Sequence, residues 1–427
     1  MKNKFILYIV IVAAAVVTGV ALTLIVTSTD PITAISGPKS RPVLHDDALA
    51  IELVAEGLDS PTSMSFLGNG SILVSEKNTG QVRIVSSNKI LNEPAIQIEV
   101  AQGAEQGLLG IATWKEINDT SVFLYLTEKY EDKTRNRIYK YIFDENAMTL
   151  VNQTLILDLP GDPGPFHNGG KISIGPVDGY LYAVIGDVNS GGGMLDNQIP
   201  GGPPNDKSVI FRVDKDTGLP AKDNPFYNYS ADMENLRRYF AYGIRNSFGM
   251  DFEPVTGKLW ITENGDKVYD EINIAKPGFN SGWHKVMGPI GRTNMTVEND
   301  LMILNGAKYE DPIFSWYVPV GVTDIEFLNS SELGDKYKDD IFVGDINNGN
   351  LYFFEVNQDR TGLILNDPNL LDLVADPVKE GDNSELSSLI LGEDFGRITD
   401  IETGPDGFLY ILTYEDGNIY RITKNTT

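Results

Sequence analysis

KISIGPVDGYLYAVIGDV, residues 171–188, holds two short runs of alternating side chains joined by a Pro/Asp-Gly turn. In its second run Leu181, Ala183 and Ile185 share one face, and Tyr180, Tyr182 and Val184 the other. Both faces are mostly apolar, so this strand belongs to a sheet covered on both sides. The pattern recurs in SMSFLGNGSILVSEKNTGQVRIV (63–85), GMDFEPVTGKLWITENGD (249–266) and ITDIETGPDGFLYILTYEDGNIYRI (398–422). More divergent copies are LLGIATWKEINDTSVFLYLTEKY (108–130), and TDIEFL (323–328) with DIFVGDINNGNLYFFEV (340–356). In each, a first strand meets a turn, a second strand ends near an acidic residue, and a third follows another turn. Asn69-Gly70, Asp178-Gly179, Asn348-Gly349, Asp406-Gly407 and Asp416-Gly417 carry hairpin chemistry. Six copies, each able to supply a sheet of about four strands, predict an all-β fold, a six-bladed β-propeller. AIELVAEGL (50–58) precedes the first copy and is expected to complete the last blade. A sandwich or a pair of barrels would not require one motif to recur along the chain. The best short helix is 231–240, and the loop 186–207 is expected to roof one end of the ring.

Composition narrows the chemistry. The 427 residues carry 34 Lys+Arg against 60 Asp+Glu, a formal charge of -26, which repels phosphate backbones and argues against nucleic-acid binding. Cysteine is absent, which removes disulfides, thiolate catalysis and iron–sulfur clusters. Three histidines, His45, His167 and His284, are too few for a multi-histidine metal centre. At the N-terminus, Lys2 and Lys4 precede an uncharged run, 5–26, long enough at about 1.5 Å per residue to cross a ~30 Å hydrocarbon core. Residues 1–26 are therefore expected to be a single-pass membrane anchor, 27–46 a linker, and 47–427 the propeller. The flanking lysines place the short end in the cytoplasm and the propeller on the extracellular or periplasmic side. Secretion after signal cleavage is the alternative.

Three clusters could carry chemistry. His167 lies in GDPGPFHNGGKI, a loop entering a blade, where an imidazole suits general-base work; a surface histidine is the plainer reading. Asp187 ends the second strand of the same blade and could hold that imidazole, or simply cap its turn. Arg245-Asn246, in FAYGIRNSFGMDF (240–252), offers a donor fork for a carboxylate, or a surface ion pair. WITENGDKVYDEINIA (260–275) gathers Glu263, Asp266, Asp270 and Glu271 with a turn carbonyl at Gly265, either a Ca²⁺ loop or a solvated turn. His284 could line the same end.

These clusters, in this order, resemble the glucose/sorbosone dehydrogenase family. The resemblance spans about residues 50–423 and rests on EQGLLGIA (105–112), FHNGGKISIGPVDGYLYAVIGD (166–187), GLPAKDNPF (218–226), YGIRNSFGMDF (242–252), ENGDKVYDEINIAKPGFNSGW (263–283) and GRITDIETGPDGFLYILT (396–413). It implies a six-bladed propeller that oxidises the C1 hydroxyl of an aldose to a lactone, passing hydride to pyrroloquinoline quinone (PQQ) beside a Ca²⁺, with an external electron acceptor. By resemblance His167 is the base, Asp187 its acidic partner and Asp270 a further acid that positions substrate. Arg245, Asn246 and Arg397 match cofactor-contacting residues. Gln106 joins them if the alignment shifts by one residue. Gly265 and Asp266 would supply calcium carbonyls. The chain departs from the pattern in three places: Thr399 replaces a second arginine, Asn347 a lysine, and Glu105 a cofactor-contacting glutamine. The lost cations leave a second reading, a non-catalytic propeller that binds a carbohydrate or protein.

Overall fold

A computed structural model describes residues 41–376 and 384–426. The expected anchor (1–26) lies outside them, and no helix among the described residues is long and apolar enough to cross a membrane. The described chain is an all-β propeller of six separate sheets. In chain order the first strands of the blades are Pro61–Phe66, Leu108–Lys115, Ile172–Ile174, Met250–Phe252, Val322–Phe327 and Ile398–Thr403. Each lies beside the next, and the last beside the first, so these strands line a closed central channel. Blades 2 and 6 are four-stranded sheets, and the sheets of blades 3, 4 and 5 carry additional short strands, six, five and six in all. Blade 1 has three full strands, its outer place filled by the two-residue pieces Lys89–Ile90 and Ile96–Gln97.

The expected ring closure is present. Leu49–Ala55 pairs antiparallel with Asn418–Lys424, so the start of the propeller supplies the outer strand of blade 6. The expected linker needs trimming: Val43–Leu44 pairs with Ile390–Glu393 on the outside of blade 5, because backbone at that edge would otherwise stay unpaired. The predicted helix near 231 is a kinked 3-10 segment, Ala231–Arg238.

Alternation decides the packing. Leu181, Ala183 and Ile185 enter an apolar cluster shared with blade 2, while Tyr182 and Val184 enter one shared with blade 4. Every neighbouring pair of sheets shares such a cluster, six around the ring, and a small seventh gathers Val286, Leu301 and Tyr309. Burial on both faces is the driving force, at roughly 1.5–3 kcal/mol for each fully buried large side chain.

The channel is held differently. The inner edges of the first strands have no ladder partner, so buried N–H groups there need other acceptors. Carboxylates provide them across blade boundaries. Asp400 accepts from Met64 N (2.5 Å), Asp324 from Ile401 N (3.0 Å), Glu326 from Thr403 N (2.8 Å) and Asp251 from Phe327 N (2.8 Å). Lys171 reaches across the channel, its Nζ 2.7 Å from both Asp324 and Asp400. Thr399 is one of these staples too, donating through Oγ1 to Pro61 O at 3.0 Å.

Candidate active site

Loops from three blade junctions converge at one end of the channel. His167 and Asp187 belong to blade 3, from the loop before its first strand and from just beyond its second strand, Tyr180–Ile185. The loops carrying them are clamped together by backbone bonds from Asp187 N to Arg245 O (3.0 Å) and from Val188 N to His167 O (3.2 Å). Gly186 sits at this crossing, where a Cβ would lie 2.3 Å from Arg245 O and 2.8 Å from His167 O. Only a residue without a side chain lets the strands pass so closely.

The expected pair forms. His167 Nδ1 lies 2.6 Å from Asp187 Oδ1. Asp187 also accepts from Asn189 N (2.8 Å) and, on its other oxygen, from Trp283 Nε1 (3.1 Å). Burial pushes the Asp187 carboxyl up, but the hydrogen bond from His167 and its charge outweigh this and leave it below the usual range. With Nδ1 facing a carboxylate, the imidazole is held with its Nε2 lone pair free, the tautomer a general base needs. The backbone at His167 is left-handed, φ 60. Glu105 steadies it: its Oε2 accepts from His167 N (2.7 Å) and from Asn246 Nδ2 (3.0 Å). Asn246 Oδ1 in turn accepts from Gly169 N at 3.2 Å.

Glu105 also lines a cavity of ≈ 260 Å³ at the channel mouth, with Lys77, Lys171, Arg397, Asp400 and Tyr414. Arg245 stands beside the histidine pair. Its guanidinium packs over the Trp283 ring at 5.3 Å, donates to Asn264 O at 3.1 Å and lies 3.6 Å from Asp266. Its buried Nε has no partner, an unspent donor.

The other residues singled out from the sequence lie in different settings. Asp270 is wholly buried, and both its oxygens are occupied by amides: Gly265 N (2.9 Å), Gly321 N (2.6 Å) and Val322 N (3.1 Å). It locks two loops, because a carboxylate at the start of a buried strand must find donors where it lies. Gln106 is buried behind the loop; the cavity wall carries its neighbour Glu105. Arg397 does reach the cavity, with its side chain 51% exposed and 3.3 Å from Glu415. Gly265 and Asp266 fall on the loop beside Arg245, and among the described residues no group of three His, Asp or Glu side chains could hold a metal ion. His284 is exposed and meets Gln198 at 3.2 Å. The sequence reading passed over Lys77. It directly follows Glu76, the last residue of blade 1's second strand, one residue nearer its strand than Asp187 is to the second strand of blade 3, so the signal that could have found it is its place at a second-strand end.

Comparison with known proteins agrees with this architecture. The chain is 26% identical over 381 residues to aldose sugar dehydrogenase YliI of Escherichia coli K12, covering 87% of this chain and 92% of that protein. The structure of a protein described as a putative oxidoreductase (glucose dehydrogenase) from Thermus thermophilus superposes with a TM-score of 0.67 at 25% identity, over 88% of this chain and 99% of that one. The PQQ-bound aldose sugar dehydrogenase of Streptomyces coelicolor shares the fold, with a TM-score of 0.66 at 22% identity, over 89% and 99%. Residues 58–421 match the family model described as Glucose / Sorbosone dehydrogenase, and the chain belongs to that family.

Proposed function

We propose that this protein is a PQQ-dependent sugar dehydrogenase that oxidises the C1 hydroxyl of an aldose to a lactone. The observation that carries the reading is the His167–Asp187 pair beside a cavity whose wall carries cations.

The residues present fit the quinone. PQQ is a flat ring system with three carboxylates, and Lys77 and Arg397 line the cavity while Arg245 offers a buried donor without a partner. These three side chains would hold its carboxylates, with Asn246 alongside. Lys77 stands in for charge that Thr399 and Asn347 do not supply. When bound, the quinone supplies the acceptor for the hydride leaving C1. The protein's own part is proton handling. His167 Nε2 takes the C1 hydroxyl proton while the C1 hydride departs, and Asp187 stabilises the imidazolium formed. Trp283 and Asn189 keep Asp187 aimed at the ring.

The fit to calcium is poorer. Gly265 and Asp266 offer two carbonyls, whereas Ca²⁺ takes six to eight oxygens, and the nearby carboxylate of Asp270 is committed to three amides. No step here depends on the metal. We also propose that the propeller lies outside the cytoplasm on an anchor formed by residues 1–26. The uncharged run at 5–26 behind two lysines supports this, and protection of the propeller from added protease in intact spheroplasts would refute it.

The function is tested by reconstituting the full chain with PQQ and following dye reduction by a panel of aldoses. Activity that disappears in His167→Ala is expected. Turnover no higher than that of the variant, despite bound PQQ, would leave the non-catalytic reading.

A further inference from the structure

Glu105 has an unusual setting among the carboxyls of the cavity wall. Asp400, on the same wall, is paired with Lys171 at 2.7 Å. Glu105 has no ion pair among the described residues; the donors to its Oε2 are neutral, the His167 N–H and the Asn246 amide. The charged and titratable groups around it come from four elements. Lys77 lies at the end of blade 1's second strand, His167 and Lys171 lie before blade 3, Arg397 with Asp400 at the first strand of blade 6, and Tyr414 just after the second strand of blade 6. A carboxyl that is largely enclosed and has no cation in contact keeps its proton more readily than one in water. Burial pushes Glu105 above the usual glutamate range, and the charge of His167 and the bonds from His167 N and Asn246 only partly oppose this.

The protonated form has a definite use. Where the family pattern has a glutamine, an N–H donor would face the ligand. A neutral glutamic acid has the same shape and offers an O–H donor instead. The ionised form has no donor and adds a negative charge to the cavity.

We propose that Glu105 is a proton-operated gate for anions at the channel mouth: as a neutral acid it donates a hydrogen bond to a carboxylate of the bound quinone, and as a carboxylate it repels that group. The proposal rests on the quinone reading for its ligand. Binding in alkaline solution then takes up a proton at Glu105, so affinity falls as pH rises through the range where this residue ionises. The difference between two proteins that differ only at this residue is the proper measure.

The experiment compares wild type with Glu105→Gln, titrated with PQQ by calorimetry at pH 5 and pH 8, with no sugar present. The two affinities are expected to converge at pH 5. At pH 8 the Gln variant is expected to bind on the order of tenfold more tightly, the effect of removing one like charge at close range. Calorimetry of the wild type in two buffers of different ionisation enthalpy should show proton uptake at pH 8. A Gln variant that binds no more tightly than wild type at pH 8 overturns the gate while leaving the quinone reading intact, and so does wild-type binding without proton uptake. If neither protein binds PQQ at any pH, the quinone reading falls. Infrared difference spectra between the two cofactor-free proteins then judge Glu105 by itself. A protonated-carboxyl band at pH 5 that is absent from the Gln variant supports the gate, and its absence from wild type overturns it.

Discussion

Raising the pH should loosen the propeller at its centre. Asp251, Asp324, Glu326, Asp400 and Glu402 crowd the channel around one cation, Lys171. Burial pushes Glu402 up to about 8 and Asp251 up to about 6, and the charge of Lys171 only partly opposes this. Burial raises Asp324 and Glu326 as well. A carboxyl raised in the folded state binds protons more tightly there than in the unfolded chain. Its contribution is therefore full below about pH 4.5 and is lost as pH climbs through the folded value. For Glu402, moving from 4.5 to about 8 corresponds to about 5 kcal/mol at ~1.4 kcal/mol per pH unit. Protein surrounds Glu402, yet 29% of its side chain is open to the channel. Water there screens the charge, and about 2 kcal/mol is the sounder expectation. The assay is chemical denaturation of the wild type and Glu402→Gln between pH 5 and 9. The wild type should lose stability steadily over that range. The variant should lose about 2 kcal/mol less and be the more stable protein at pH 9. Parallel curves for the two proteins would refute the assignment of the slope to the channel.

Two substitutions probe the cation and the proton path separately. Lys171→Met should cost about 3–5 kcal/mol at pH 7, because it leaves Asp324 and Asp400 buried without their partner. The loss should shrink on acidification as Asp324, whose carboxyl burial raises, takes up a proton, so a cost in denaturation that grows at pH 5 would contradict the pairing. In Asp187→Asn, three donors (His167 Nδ1, Asn189 N and Trp283 Nε1) would face a group with a single acceptor oxygen. The unmade bond costs about 1–3 kcal/mol. If the amide turns its nitrogen toward His167, it stabilises the tautomer with Nε2 protonated, which cannot act as a base. Turnover at saturating sugar should fall at least tenfold with PQQ affinity little changed, and equal kcat would count against the dyad.

The legible part of this molecule was the part written in short-range periodicity. Alternation in Tyr180–Ile185 named both faces of the strand and required cover on each, which the clusters shared with blades 2 and 4 supply. Ring closure by Leu49–Ala55 followed from a strand left over before the first repeat. His167 and Asp187 were legible because the repeat brings its second-strand ends to one rim. Asp270 came from the resemblance alone, and its surroundings were not legible. It begins a strand that is buried along its whole length, and its fate was decided by the amides of Gly321 and Val322, which come from the next blade. Nothing local to residues 260–275 reports that neighbour. The choice between Glu105 and Gln106 depends on which of two adjacent side chains turns toward the cavity, a question of loop geometry that composition does not encode. The channel carboxylates looked like surface acidity in the sequence, because their partners are N–H groups on a different blade.

Those staples connect the fold to the site. A propeller has no ladder hydrogen bonds between its first strands, so blade boundaries need other acceptors, and acidic side chains supply them from blade 4 round to blade 1, with the Ser63 hydroxyl accepting from Ile111 N between blades 1 and 2. The result is a channel whose carboxylates lie directly beneath the cavity: Asp400 both staples blade 6 to Met64 and lines that cavity. An anionic ligand could not rest over this ground if the acids were all ionised and unpaired. Lys171 neutralises the upper two, protons retained by burial neutralise part of the rest, and Lys77 and Arg397 turn the sign of the wall. Stability and ligand binding are thus tied to one electrostatic balance. Alkaline pH should weaken both together, through Glu402 at the centre and Glu105 at the rim. Glu402→Gln should restore stability at pH 9 without restoring PQQ affinity, whereas Glu105→Gln should restore PQQ affinity together with the share of stability that its own ionisation removes.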